Sequence, residues 1–425
     1  MANRSLFEYL DDEDSIKDSA RIFSRRSGGI GESFGDGVVL CSRLKLYEES
    51  VALSRYIKRI LGDEGREVLL LDGGMYDTAT VTVACSILGY NLTLLTEPPK
   101  QELLCDLLIA RELSDNSRIA CKSFLSFGEI CAAILGELTS EAEEIGDNSD
   151  GFKIGFVRQS DGGVETYSEQ MAIRTARRYA KAEGMLPLDT CLSTLHPCSR
   201  EGLFGGVLAP MLHAKSWFYC KDSDNIFEEM KLCAPTKLIC LPSLADKLAL
   251  EMERLRREPT LWHKGRGVHP VRIKWDKLFP RTLAVLRRLK MIYVHYSFGG
   301  RLSSVTTYGE LSWECEDSLI KFGVISSSLI GIENCAIVGY REIGDEEGFW
   351  QLPSGLFSDM CDVSKGGFGR ITFFGDGLSL GETRGHTFRS GDFRSEYKMP
   401  PLLVSNIRGF STQKRVFYAE KQTFS

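Results

Sequence analysis

Between residues 44 and 61 (LKLYEESVALSRYIKRIL), Leu46, Leu53, Ile57 and Ile60 fall at helical spacing, and the segment reads as an amphipathic helix. Val68 to Leu71 is a short apolar run closed by Asp72, Gly73 and Gly74, which reads as a buried strand and turn. Residues 76–89 read as a helix and Leu92 to Leu95 as the next strand. Strand, helix, strand at this spacing predicts an α/β unit with a parallel sheet. Further helices are predicted near 101–112 and 127–137. A second series follows: a strand at Phe152 to Val157, a polar glycine-containing loop at 159–166 and a helix at 167–184. Strands are then predicted at Asp189–Leu195, Ser216–Cys220, Lys237–Leu241 and Lys290–His295. Helices near 201–214, 223–233, 243–257 and 306–322 fill the gaps. From about 350 the texture turns glycine- and β-rich, with no helical period, as in 368–380 and 400–419.

The expected fold class is α/β: two stacked α/β subdomains with largely parallel sheets, plus a small β-rich subdomain. The boundaries are drawn at 1–138 for the first subdomain and 139–151 for an acidic linker. The second subdomain covers 152–350, the β-rich part 351–412 and a tail 413–425. The linker rests on the run Ser140 to Asp150, which is acidic and holds glycine and serine.

Charge narrows the partners. Lys and Arg number 52 against 58 Asp and Glu, a net charge of −6. That gives no general attraction to nucleic acid or to an anionic membrane. The most apolar stretch, Val81 to Leu95, carries Asn91 and Thr93 and is shorter than the roughly 18 residues a membrane helix needs. The opening MANRSLFEYLDDED is acidic and has no apolar leader core. Thirteen scattered cysteines without a C-x-x-C pair read as free thiols of a reducing compartment. The expected location is cytoplasmic.

Generic catalytic motifs are missing. The sequence holds no G-x-x-x-x-G-K-[ST] loop and no G-x-S-x-G elbow. Gly29-Ile30-Gly31 is followed by a glycine at 35, one residue late for a dinucleotide fingerprint. The six histidines are scattered, none four residues from another, and signal no metal site. His196, between Cys191 and Cys198, has no metal-ligand spacing.

Several weaker segments occur in a telling order. Val157-Arg158-Gln159-Ser160-Asp161-Gly162-Gly163-Val164-Glu165-Thr166 joins a strand to a helix. Leu192 to Pro210 follows, then Phe298-Gly299-Gly300-Arg301-Leu302-Ser303 and Ile330-Gly331-Ile332-Glu333. Phe388-Arg389-Ser390-Gly391-Asp392 and Ile407-Arg408-Gly409-Phe410 come last. This order resembles the large N-terminal domain of the adenylate-forming superfamily, which includes acyl-CoA synthetases, nonribosomal-peptide adenylation domains and luciferases. The first segment resembles its T-S-G-T-T-G-x-P-K-G loop, where small residues let backbone N–H groups reach the ATP phosphates and a lysine offsets their charge. The glycine pair resembles the G-G-A-x-L-S turn against adenine, and Ile330 to Glu333 resembles Y-G-x-T-E. Phe388 to Asp392 is similar to Y-R-T-G-D.

The resemblance implies a set of roles. Ser160 and Gly162 would hold phosphates, Gly299 and Gly300 the adenine, and Asp392 the ribose diol. Glu333 would be the catalytic, magnesium-linked carboxylate, and Arg408 lies just past the hinge. ATP or AMP with Mg2+ would be the cofactors and a carboxylate the substrate. The departures matter as much. Asp161 replaces a hydroxyl, Val164 the proline and Glu165 the lysine, and added carboxylates repel a triphosphate by several kcal/mol unless offset. The family's mobile C-terminal domain, with its own lysine, would begin about where the chain ends. Two functions are therefore expected. One is ATP-dependent carboxylate activation through an acyl-AMP. The other is a pseudoenzyme kept as a binding or scaffold subunit of a biosynthetic complex, with a partner protein in a hetero-oligomer.

Overall fold

Helix α1 (Arg43–Leu61) buries Leu46, Leu53 and Ile57 along one stripe. Its first turn is capped by Ser42, whose hydroxyl accepts from the Lys45 N–H at 3.1 Å. In the computed structural model, described for residues 30–34, 37–62, 65–112, 118–138, 151–158, 162–258, 289–332, 335–342, 350–354, 356–361, 370–375 and 416–417, α1 packs on α2 (Met75–Leu88) and α3 (Phe127–Leu138). Thr78 to Leu88 of α2 are buried without a break, as in a helix enclosed on every side. Thr80 and Thr82 donate to the carbonyls four residues earlier, while the Ser86 hydroxyl donates to Glu169 Oε1.

Two large sheets flank these helices. The smaller holds β3 (Glu67–Leu71), β4 (Asn91–Leu95), β5 (Leu103–Ala110), β6 (Ile119–Ser126), β7 (Lys153–Val157) and β8 (Val164–Ser168). Its order is β6-β5-β3-β4-β7-β8, parallel except for the β7/β8 hairpin. The larger holds β1 (Ile30–Phe34), β2 (Gly37–Cys41), β9 (Thr190–Ser193), β10 (Ser216–Tyr219), β11 (Lys237–Cys240) and β12 (Ser304–Tyr308). It continues with β13 (Ile325–Ile332), β14 (Cys335–Glu342), β15 (Trp350–Gln351) and β18 (Val416–Phe417). The ten strands run β18-β15-β14-β13-β12-β11-β9-β10-β1-β2. A separate antiparallel pair joins β16 (Leu356–Cys361) to β17 (Arg370–Gly375). Sheet membership crosses the boundary expected at 139–151: β1 and β2 lie in the larger sheet, while β7 and β8 complete the smaller one.

The main core draws on both sheets and on the helices between them, including α4 (Glu169–Ala182). A second core covers the other face of the larger sheet, under α6 (Ile226–Cys233), α7 (Pro242–Arg257) and α9 (Trp313–Lys321). Between β9 and β10 lie a π-helical turn, Gly202–Leu208, and α5 (Ala209–His213).

Three expected elements are corrected. Leu103–Ala110 is strand β5, not part of a helix. Its run of apolar residues is that of a strand with apolar packing on both faces of a parallel sheet, a pattern without alternation. Residues 289–296 form a helix, α8, instead of a strand. Lys290, Val294 and Phe298 are buried at four-residue spacing while Leu289, Ile292 and Tyr296 are exposed. The helix expected over 306–322 is split: the β-branched Val305, Thr306 and Thr307 belong to β12, and only Trp313–Lys321 is helical.

Candidate functional site

Parallel α/β sheets present their ligand clefts beyond the carboxyl ends of the strands. Here those ends from the two sheets meet. Asp72 follows β3 of the smaller sheet, His196 follows β9 of the larger, and Lys221 follows β10. His196 Nε2 lies 2.8 Å from Asp72 Oδ1, and Lys221 Nζ lies 3.5 Å from Asp72 Oδ2. The backbone N–H of Cys198 donates to His196 Nδ1 at 3.1 Å. Nδ1 therefore carries no proton, and Nε2–H donates to Asp72. With both nitrogens engaged, this imidazole is a fixed strut. Burial opposes ionisation of Asp72, but the His196 hydrogen bond and the Lys221 charge outweigh it and hold the carboxyl below its ordinary value. Asp72 has φ of +51°, a left-handed conformation that Asp tolerates better than most residues.

Deeper in the cleft, Arg200 joins the two sheets a second time. Its Nη1 donates to Glu165 Oε1 and Oε2 at 3.1 and 3.3 Å, and its Nη2 donates to Glu201 Oε1 at 2.6 Å. Glu165 is nearly fully buried and also accepts from the Tyr167 hydroxyl at 3.1 Å. A Cβ added to Gly331 would come within 3.3 Å of Arg200 Nη2, so the guanidinium lies against the Ile330–Ile332 strand end. The position expected to mirror the family's loop lysine is thus on β8, turned inward. The hairpin between Val157 and Val164 is only six residues long. It is closed by Arg158 N–H to Gly163 O at 2.7 Å and Gly162 N–H to Arg158 O at 3.1 Å. Gly162 has φ of +71°, which a glycine adopts without strain.

The expected site residues do not all fall together. Gly162 lies in the hairpin at the carboxyl end of β7, the same sheet edge as Asp72. Gly299 and Gly300 follow α8 and lie before β12, at its opposite end. Their N–H groups return to Tyr296 O and His295 O, closing the helix. A Cβ on Gly299 would lie 2.3 Å from Met230 O, so its backbone is turned onto α6. The five residues of β12, roughly 16 Å at about 3.3 Å each, separate this glycine pair from the cleft edge. Ser160, Glu333, Asp392 and Arg408 lie outside the described residues.

The turn that does follow a strand and open a helix is Tyr308-Gly309-Glu310-Leu311-Ser312. Gly309 has φ of +126°, and its N–H donates to Leu329 O at 2.9 Å, setting it beside the Ile330–Gly331 strand end. Thr307 Oγ1 donates to Gly309 O at 3.0 Å, Arg341 pairs with Glu310 at 3.3 Å, and Ser312 caps α9. The readable signal was a β-branched run, then glycine, then a serine helix cap. Behind this turn, the Tyr308 hydroxyl donates to Glu183 Oε1 at 3.0 Å. Burial pushes the Glu183 carboxyl up to about 8. Its Oε2 meets no hydrogen-bond donor among the described residues.

No family model matches the chain, and no curated protein matches it in sequence. Solved structures do. VinN bound to L-aspartate superposes with a TM-score of 0.62 at 15% identity, covering 92% of this chain and 95% of that one. The anthranilate CoA ligase AuaEII in complex with anthranoyl-AMP gives 0.63 at 14% identity, over 92% of this chain and 74% of that one. The long-chain-fatty-acid-CoA ligase FadD1 from Archaeoglobus fulgidus gives 0.59 at 11% identity, over 98% and 81%. The chain has the adenylate-forming fold. Within that fold, the hairpin 158–163, the turn 308–312 and the strand end at 330 all lie at the carboxyl ends of parallel strands. No helix of the described residues is long and apolar enough to cross a membrane, and no group of three or more His, Cys, Asp or Glu is placed to hold a metal there.

Proposed function

We propose that this chain is a divergent adenylate-forming protein whose cleft takes an adenine nucleotide and a carboxylate. The observation that carries the reading is the facing of the two sheets' carboxyl ends, tied by Asp72–His196 and by Glu165–Arg200, with the turn at Gly309 beside the strand end at Gly331. In the reaction, the substrate carboxylate oxygen attacks the α-phosphorus of ATP and pyrophosphate leaves. The turn 308–312 takes the adenine-facing role first expected of Gly299 and Gly300. By the resemblance, Ser160 and Gly162 would face the phosphates and Asp392 the ribose diol, with Arg408 just past the hinge.

Magnesium keeps several waters and takes one or two carboxylates plus substrate phosphates, so the resemblance asks this chain for a single carboxylate. Glu333 would supply that carboxylate, two residues beyond Gly331, and the bound ion would neutralise charge on the phosphates. The described cysteines are all free, which accords with a reducing, cytoplasmic setting.

A second reading is favoured by one specific observation. Glu165 and Glu201 both pair with Arg200, so its charge is engaged within the protein, and Arg158 is the cation that the hairpin itself carries. In that reading the fold is kept as a non-catalytic binding subunit, paired with a partner protein.

Titration calorimetry with ATP and magnesium, then with AMP, each repeated on Asp392→Ala, tests both. Micromolar binding that the substitution abolishes establishes the nucleotide cleft, and pyrophosphate exchange with a panel of carboxylates then separates turnover from binding alone. No heat up to millimolar nucleotide overturns the nucleotide reading.

A further inference from the structure

Cys105 of β5 and Cys121 of β6 are direct partners in the parallel register of the smaller sheet. Both side chains belong to the apolar cluster on that sheet's outer face, with Leu69, Leu103 and Phe124. Being on one face and in register, they are adjacent residues of neighbouring strands. Such strands run about 4.8 Å apart, inside the roughly 4.4–6.8 Å Cα separation that a disulfide spans.

Two other thiol pairs are close in space, Cys220 with Cys233 and Cys240 with Cys315. All four of those thiols are buried in the second core. The Cys105–Cys121 pair differs in access. Cys121 is only half-buried, and β6 is the outermost strand of its sheet. A half-open recess of about 380 Å³ opens on the same face, lined in part by Leu69, Thr93, Leu103, Cys105 and Gly155. Cys131 is exposed and sits on α3.

We propose that Cys105 and Cys121 form a dithiol site that a small peroxide oxidises reversibly to a cross-strand disulfide. The Cys121 thiolate attacks one peroxide oxygen. An S–O bond forms, the O–O bond breaks, and the departing hydroxide takes a proton to become water. The Cys105 sulfur then attacks the Cys121 sulfenic acid. The S–S bond forms, the S–O bond breaks, and hydroxide leaves with the Cys105 proton as a second water. Two thiols and one hydrogen peroxide give one disulfide and two waters, with two electrons passing from sulfur to oxygen. Strained cross-strand disulfides are readily reduced, so a dithiol reductant returns the pair. Burial, with Cys121, Asp106 and Glu67 nearby, pushes the Cys105 thiol up to about 12. This accords with Cys121 as the first to react.

The test is a tryptic map under non-reducing conditions after stoichiometric hydrogen peroxide and alkylation of the full chain. The expected product links peptide 101–111 to peptide 119–122 and disappears on treatment with dithiothreitol. In Cys121→Ser the link is absent and Cys105 stays alkylatable. Phenylarsine oxide, which bridges two neighbouring thiols, gives an independent reading on the reduced protein. Wild type retains one arsenic at this site and Cys121→Ser retains none there. Recovery of Cys105 as an alkylated free thiol while Cys121 or Cys131 is oxidised overturns the proposal, as does arsenic that stays on Cys105 in Cys121→Ser.

Discussion

Replacing Arg200 by leucine removes the guanidinium that faces Glu165 and Glu201. The two carboxylates are not equally affected. The Glu201 side chain is 30% exposed and can rehydrate, whereas that of Glu165 is 3% exposed and cannot. The Tyr167 hydroxyl still donates to Glu165 but brings no charge. A buried carboxylate whose charged partner is removed costs about 3–5 kcal/mol, while exchange of both partners for apolar residues of similar volume is often neutral. The single variant should therefore lose about 3–5 kcal/mol, and Arg200→Leu/Glu165→Leu should regain most of it. Equilibrium urea unfolding followed by the fluorescence of buried Trp217 reads both. A single-variant loss below about 1 kcal/mol, the range of a solvent-exposed pair, would refute the argument. So would a double variant that falls as far as the single.

Three further outcomes follow from the same geometry. Asp72→Asn should lose about 0.5–1 kcal/mol at neutral pH, a modest figure because both partners are partly exposed. The folded carboxyl lies below its unfolded value, so the wild-type contribution is full above about pH 4 and fades as pH falls through the folded value; acid titration of stability should show that loss in wild type and not in the variant. Glu183→Gln should flatten the pH dependence of stability. With the folded carboxyl raised to about 8 by burial, stability falls at up to about 1.4 kcal/mol per unit between roughly pH 4.3 and that value, because the folded state holds the proton longer. Gly202→Ala should lower the melting temperature by an amount equivalent to about 1–3 kcal/mol, since the new Cβ would stand 1.9 Å from His196 O; Gly136→Ala, a helical position with nothing within 4 Å, should raise it slightly.

Elements whose pattern is local were legible. The helices over 43–61, 75–88 and 127–138 and the strands after them follow from apolar spacing, caps and glycine turns. β5 was not, because a strand packed on both faces and a buried helix share the same unbroken apolar run. Gly299-Gly300 drew the eye as a glycine pair, but the preceding Lys290, Val294 and Phe298 repeat at four residues and make it a helix end. The cleft itself depends on contacts that no local pattern carries. Asp72 and His196 are 124 residues apart, and Glu165 and Arg200 come together only because β8 closes one sheet while β9 opens into the other.

That pairing also changes what Glu165 means. Read along the chain, it is a carboxylate in a phosphate loop, a repulsive intruder. In the fold it lies on β8 and pairs with a buried guanidinium that Glu201 also holds. A lysine placed at 165 would face Arg200 inside the protein, where like charges repel. Glu165→Lys should consequently destabilise the fold without tightening ATP binding. A variant that binds ATP more tightly at unchanged stability would return residue 165 to the phosphate loop.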